Sequence, residues 1–309
     1  MKEGEMLKIV VPGSTANLGP GFDSLGLAVS RYLELEVHKG DEWRFIPQTA
    51  EVQTIPQGTE NLIFQVAERL ASQYGRALPP CVVKVFSDIP FTRGLGSSAA
   101  AVVAGIELAN ELADLSLTME EKIRLAAAYE GHPDNVGASL YGGLVIGSHR
   151  NEETTIVHLS DIDLDLVAVI PSYELETKKA RSVLPQSFTR AEAVEASAIS
   201  NVLVAALLMK NWELAGKMME CDLFHQPYRQ ELIPELPLVL PLAKEYGAFG
   251  VALSGAGPTI LCFVEPGKGA HVRERLAPHF QHCQVETLTV EPKGSQVYKT
   301  TLEAYEMDR

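Results

Sequence analysis

The chain has 309 residues, 46% of them hydrophobic and 21% charged, and a formal net charge of −14. Its length suits two domains of ordinary size, which together bury about 75% of the unfolded surface and need no disulfide or metal staple. So acidic a balance argues against nucleic acid as a partner, since phosphate-backbone binding runs on Lys and Arg displacing counterions.

The amino terminus, Met1-Lys2-Glu3-Gly4-Glu5, carries acids where a signal peptide is basic, and no apolar run approaches the roughly 18 residues of a membrane span. The four cysteines, Cys81, Cys221, Cys262 and Cys283, stand far apart with no Cys-x-x-Cys pair, as expected of thiols in a reducing cytoplasm. Met6 to Val11 predicts a short strand, which runs into a loop from Pro12 to Val29 holding four glycines and two prolines. Such a loop brings backbone close to a ligand, with Ser14, Thr15, Asn17 and Asp23 able to point inward; the plainer alternative is a wide turn in which Asn17 and Asp23 bond local backbone. Leu33 to Val37 alternates as a half-exposed strand. Leu62, Ile63, Val66, Ala67, Leu70 and Ala71 mark an amphipathic helix over Asn61 to Arg76.

Cys81 to Phe86 predicts another strand, and Ser97 to Ala113, rich in Ala and Leu, a helix. Between them lies Pro90-Phe91-Thr92-Arg93-Gly94-Leu95-Gly96-Ser97-Ser98-Ala99-Ala100. A glycine turn opening a helix exposes unpaired N–H groups at the positive end of the helix dipole, a seat for phosphate to which the Ser97 and Ser98 hydroxyls can add. The same turn also fits a plain strand-to-helix connection that needs positive φ.

Thr118 and Glu121 have capping-box spacing and start a helix that Gly131 can end. Glu130 falls on its apolar stripe with Ile123 and Ala126. It also sits at the helix's negative end, where a carboxylate is unfavourable by about 0.3–1 kcal/mol. A neighbouring cation would relieve both problems; the alternatives are a side chain bent to solvent or paired with an Arg. Gly131 to Gly137 gathers His132, Asp134 and Asn135 in one tight turn, and Tyr141 to Gly147 returns as a strand. A polar stretch at Asn151 to Thr155 suggests a boundary, giving domains 1–160 and 161–309. Beyond it come a strand at Leu166 to Pro171, a basic patch at Thr177 to Arg181 that is by default a solvated face, and helices at Arg190 to Met209, Trp212 to Met219 and Leu238 to Tyr246. Strands at Phe249 to Leu253 and Ile260 to Val264 flank Ser254-Gly255-Ala256-Gly257-Pro258-Thr259, either a simple hairpin tip or a small-residue surface for phosphates. A helix over Gly267 to Leu276 and a strand over Gln284 to Val290 close the pattern. His279, His282 and Cys283 alone are a weak metal signal and read as structural or solvated.

Three stretches, Pro12 to Val29, Pro90 to Ala100 and Ser254 to Thr259, resemble in order the three motifs of the GHMP small-molecule kinases. Glu130 to Asn135, Thr177 to Arg181 and Gln226 to Arg229 look like the homoserine kinase branch. The resemblance implies an α+β, two-domain enzyme with a ribosomal protein S5 domain 2-like amino-terminal domain and a ferredoxin-like carboxy-terminal domain. It implies transfer of phosphoryl from ATP to the side-chain hydroxyl of L-homoserine in threonine biosynthesis, with a homodimer expected by analogy. By position, Pro90 to Ala100 would cradle the triphosphate, and Ser98 and Glu130 would hold Mg²⁺. Asp23 would meet the substrate ammonium and Arg181 and Arg229 its carboxylate. Asn17, His132, Asn135 and Gly257 would complete the substrate site, with Asn135, Thr177 and Arg181 nearest the chemistry. Asn135 stands where several relatives carry an aspartate base, so the proton is expected to leave without a dedicated base.

Rival readings fare less well. A dinucleotide-binding dehydrogenase needs a strand with a terminal acid after the glycine-turn helix, but the capped helix at Thr118 follows instead. No Walker sequence occurs, and an RNA-binding module conflicts with the charge. The nearest alternative is another kinase of the superfamily, such as mevalonate kinase, whose substrate lacks the ammonium that Asp23 suits.

Overall fold

Alternating apolar residues and two long antiparallel partners define the first half of the chain. A computed structural model describes residues 4–301, so the acid-bearing Met1 to Glu3 lie outside the described residues. In order come β1 (Glu5–Ala16), β2 (Leu25–Lys39), β3 (Arg44–Pro47), α1 (Leu62–Gln73), β4 (Cys81–Ser87), α2 (Ser97–Leu112), α3 (Met119–Glu130), α4 (Asp134–Tyr141), β5 (Leu144–Arg150) and β6 (Glu153–Leu159). The second half holds β7 (Asp165–Pro171), α5 (Thr177–Ser182), α6 (Arg190–Leu208), α7 (Trp212–Met219), α8 (Gln226–Arg229), α9 (Leu236–Glu245), β8 (Ala248–Leu253), β9 (Ile260–Val264), α10 (Gly269–Leu276), β10 (Cys283–Thr289) and β11 (Gln296–Thr301).

The larger sheet has the order β11-β1-β2-β4-β3, with β5 on β2 and β6 on β5. Ile9, Val11, Leu35 and Val83 from its strands pack with Val102, Val103 and Leu108 of α2, all fully buried. The smaller sheet has the order β10-β7-β9-β8 with every pair antiparallel. Its strands therefore lie fourth, first, third, second, the ferredoxin-like arrangement, and the whole is the two-domain α+β fold expected.

Several elements differ from the sequence reading. The loop expected from Pro12 to Val29 shrinks to residues 17–24, because β1 resumes pairing with β2 after a register shift at Pro12/Gly13 and continues to Ala16↔Gly26. Pro12, which has no N–H to give, sits at that irregularity. β3, α4, β6, α5, α8 and β11 were not foreseen. The boundary drawn at residue 160 falls between β6 and β7, yet β11 returns to pair with β1, so the last strand of the 161–309 unit belongs to the larger sheet. The expectation that no apolar run approaches a membrane span is corrected by α6, which is long and apolar enough by length and composition alone. In this fold α6 packs against α7, and Ala196, Leu203, Ala206 and Leu207 are buried.

Candidate active site

The turn between β4 and α2 is built by necessity from glycine. Gly96 caps α2 at φ 77 and Gly94 has φ 80, both left-handed. A Cβ on Gly94 would lie 2.3 Å from the Ser254 carbonyl oxygen, and one on Gly96 2.3 Å from Ser14 Oγ. The turn is thus clamped between β1 and the 254–259 tip, and its conformation leaves the amino end of α2 open to a cavity of about 160 Å³. That cavity is lined by Asn17, Asp23, Thr92, Gly94, Gly96, Ser97, Ser98, Ala99, Glu130, His132, Asn135, Thr177, Arg181, Arg229 and Gly257 among the expected residues. The other members of the turn do not line it. Leu95 and Ala100 are core, and Arg93 is a brace whose guanidinium donates to the carbonyls of Phe91, Pro171 and Ser172. Phe91 borders an adjoining cleft, and Pro90 leads into the turn half-buried.

Ser98 Oγ donates to Glu130 Oε1 at 2.8 Å, joining the first turn of α2 to the last residue of α3. Among the described residues no Lys, Arg or His pairs with Glu130. A hydroxyl and a carboxylate in no direct ion pair, beside a helix amino end, are hard oxygen donors, and they fit a small divalent cation.

At the opposite end, Asn17, Leu18 and Asp23 all have positive φ, at 75, 49 and 54. This strained loop is held by Asn17, whose Oδ1 accepts from the Asp23 N–H at 3.0 Å and whose Nδ2 donates to the Gly255 carbonyl at 3.1 Å. Asp23 receives both Nη2 and Nη1 of Arg181, at 2.7 and 3.1 Å. Arg229 is 2% exposed; it donates through Nε to the Ala180 carbonyl, and through Nη1 to the Gly255 carbonyl and His225 Nδ1. Burial, with Arg181 nearby, lowers its pKa to about 10, which leaves it charged at neutral pH. Phe22 lies beside both arginines, each guanidinium carbon 5.5 Å from its ring centre.

The wall between the two ends comes from the start of α4. Burial would lower the His132 pKa, but its bond to Asp134 and the charges of Asp134 and Asp23 outweigh that and raise it. Asp134 is buried, and its Oδ1 also accepts from the Asn135 N–H at 2.7 Å. Asn135 Nδ2 donates to the carbonyl and hydroxyl oxygens of Ser14, 3.2 and 3.1 Å away, which fixes the amide. Thr177 is exposed at the first turn of α5, where Lys178 and Lys179 face solvent, as the basic patch suggested, while Arg181 turns to the cavity.

Residues 61–143 match the model for the GHMP kinases N terminal domain and residues 203–282 that for GHMP kinases C terminal. Over 295 residues the chain is 61% identical to the homoserine kinase of Bacillus licheniformis, covering 95% of this chain and 96% of that one. The chain belongs to the homoserine kinases of the GHMP family. A Listeria monocytogenes protein described as a homoserine kinase has a structure that superposes with TM-score 0.82 at 42% identity, over 94% of this chain and 99% of that one. A mevalonate kinase shares the architecture at 16% identity and TM-score 0.68, over 92% of this chain and 99% of that one.

Three features of this homoserine kinase site had no signal in the sequence. The Asp23–Arg181 pair joins residues 158 apart, so two groups expected to meet opposite charges of a substrate bind each other. Phe22 looks like an ordinary loop aromatic until both arginines flank it. The adjoining cleft of about 380 Å³ is lined by Leu33, Ile55, Leu62, Ile89 and Phe91, and it shares Thr92, Ser97 and Ser98 with the cavity. These apolar residues come from four separate stretches, and of them only Phe91, in the glycine turn, was expected beside a ligand.

Proposed function

We propose that this chain transfers the terminal phosphoryl group of ATP to the side-chain hydroxyl of L-homoserine, giving O-phospho-L-homoserine for threonine biosynthesis. The observation that carries the reading is one cavity with an open helix amino terminus at one end and two guanidiniums and a carboxylate at the other. Arg181 and Arg229 against Asp23 leave one net positive charge for a substrate carboxylate, while Asp23 suits an ammonium. Their ion pair is about a third exposed, so exchanging it for substrate contacts costs at most about 1 kcal/mol.

The backbone N–H groups opening α2 would bind the phosphates, and the apolar cleft beside them would take the adenine. Ser98 and Glu130 would hold Mg²⁺, which when bound neutralises charge developing on the phosphoryl oxygens. Asn135, locked by Ser14, can accept the substrate hydroxyl's hydrogen bond through its amide oxygen but cannot remove the proton. His132, Asn17 and the backbone at Gly257 would orient the amino acid, and Thr177 would face the transferring group. Phosphoryl transfer has a loose transition state, so this positioning and charge stabilisation suffice without a dedicated base.

Four free thiols support a reducing, cytoplasmic setting. A homodimer would cover the exposed Val194 and Val202 of α6 and Met209, which caps it; light scattering on the purified protein tests this. The deciding assay for function is ADP release across homoserine, mevalonate, galactose and shikimate. Homoserine should be preferred by orders of magnitude, and equal turnover of mevalonate would overturn the assignment.

A further inference from the structure

Outside the phosphoryl-transfer cavity, three chemically different ligands from two stretches of the chain converge. Glu235 precedes α9, and His282 and Cys283 lead into β10; one ligand atom of each lies within 4.8 Å of the others. The Glu235 side chain is 6% exposed, and among the described residues no Lys or Arg pairs with it. Its oxygens are divided: Oε2 accepts from the Tyr173 hydroxyl at 2.8 Å, and Oε1 lies 3.1 Å from His282 Nε2. The imidazole is mostly exposed, so the cluster is open to solvent on one side. His279, which the sequence grouped with His282, instead stands by the Tyr246 hydroxyl.

The geometry points to a site for Zn²⁺, or a cation of similar borderline softness, held by Glu235 Oε1, His282 Nε2 and Cys283 Sγ with water in the fourth position. Two oxygen or nitrogen ligands of a tetrahedral zinc stand about 3.3 Å apart, so Glu235 and His282 are already spaced for it. The Cys283 sulfur lies within 4.8 Å of both. Tyr173, bonded to the other carboxylate oxygen, is the outer partner that orients such a ligand. Burial and the charge of Glu235 push the Cys283 thiol up to about 11, a cost that a bound cation reverses by favouring the thiolate. Cys283 pairs with Pro171, whose carbonyl Arg93 holds, so an ion here ties α9 and β10 to the segment leading into the cavity.

The test is titration of the chelator-treated full chain with Co²⁺, then Zn²⁺. One equivalent of Co²⁺ should give a thiolate-to-cobalt charge-transfer band that Zn²⁺ abolishes. Cys283→Ala and Cys283→Ser should both lack the band, and Cys221→Ala should keep it. The cluster of Asp23, His132 and Asp134 has no sulfur and gives no such band. Tyr173→Phe should weaken Zn²⁺ binding about 10-fold or more. Zn²⁺ should raise the Tm of the wild type but not of a His282→Ala, Cys283→Ala double variant. A band that survives loss of Cys283, no band at saturating Co²⁺, or equal Zn²⁺ binding by the double variant would overturn the site and leave a hydrogen-bonded cluster.

Discussion

Replacing Asp23 by Asn removes one charge and almost nothing else. Asn tolerates the left-handed φ of 54 at this position, and the backbone N–H bond to Asn17 Oδ1 does not involve the side chain. The lost ion pair with Arg181 is 33–38% exposed, so folding stability should change by no more than about 1 kcal/mol. The substrate ammonium, in contrast, loses a charge-assisted hydrogen bond of about 1.5–3 kcal/mol. Subtracting up to about 1 kcal/mol for the Arg181 contact that substrate displaces leaves about 0.5–3 kcal/mol, or roughly a 2- to 150-fold fall in kcat/KM for homoserine. The KM for ATP should not move. Coupled ADP-release kinetics with each substrate varied, alongside urea unfolding, reads both quantities. An unchanged homoserine kcat/KM, or a parallel rise in the KM for ATP, would refute the placement of the ammonium at Asp23.

Glu130→Gln should raise the Mg²⁺ needed for half-maximal ADP release about 10-fold or more, with Ser98→Ala causing a smaller shift. Asp134→Asn should reduce turnover less than about a thousandfold, because Asp134 Oδ1 is engaged by His132 and the Asn135 amide; a larger loss with homoserine affinity intact would make Asp134 the base. Gly94→Ala should destabilise by about 2–5 kcal/mol through left-handed strain and collision with the Ser254 carbonyl, measured by urea unfolding. His225 is buried, and desolvation lowers its pKa to about 4, so its neutral form's stabilisation is complete above the unfolded value of about 6.5 and is lost as pH falls. Between those limits wild-type stability should fall more steeply with acid than that of His225→Gln, by up to about 1.4 kcal/mol per pH unit; parallel slopes would contradict the buried neutral imidazole.

Local features were readable from the chain. The capping box at Thr118 and Glu121 forms with both bonds present, and Gly131 ends α3 at φ 88. Ser254 to Thr259 joins an antiparallel hairpin, as its flanks predicted. What escaped depends on tertiary context. α4 begins Asp-Asn-Val-Gly, poor helix formers held in place by burial of Val136, Ala138 and Leu140. β6 is mostly exposed and polar, so its alternation looked like a linker. Glu130 was legible as a carboxylate in an uncomfortable place, and the family resemblance paired it with Ser98; the fold adds their direct hydrogen bond at 2.8 Å. The lone His-x-x-His-Cys run gave no hint of Glu235, because the third group arrives from the start of a distant helix.

The return of β11 to β1 has a bearing on how the polypeptide is made. β1 leaves the ribosome early, yet the flank that residues 296–301 cover stays bare until nearly the whole described chain has been translated. An uncovered strand flank recruits other strands, so nascent chains, and expression fragments cut at residue 160, should lean on chaperones or clump. Supplying the 296–301 segment as a separate peptide should rescue such a fragment by completing its missing margin.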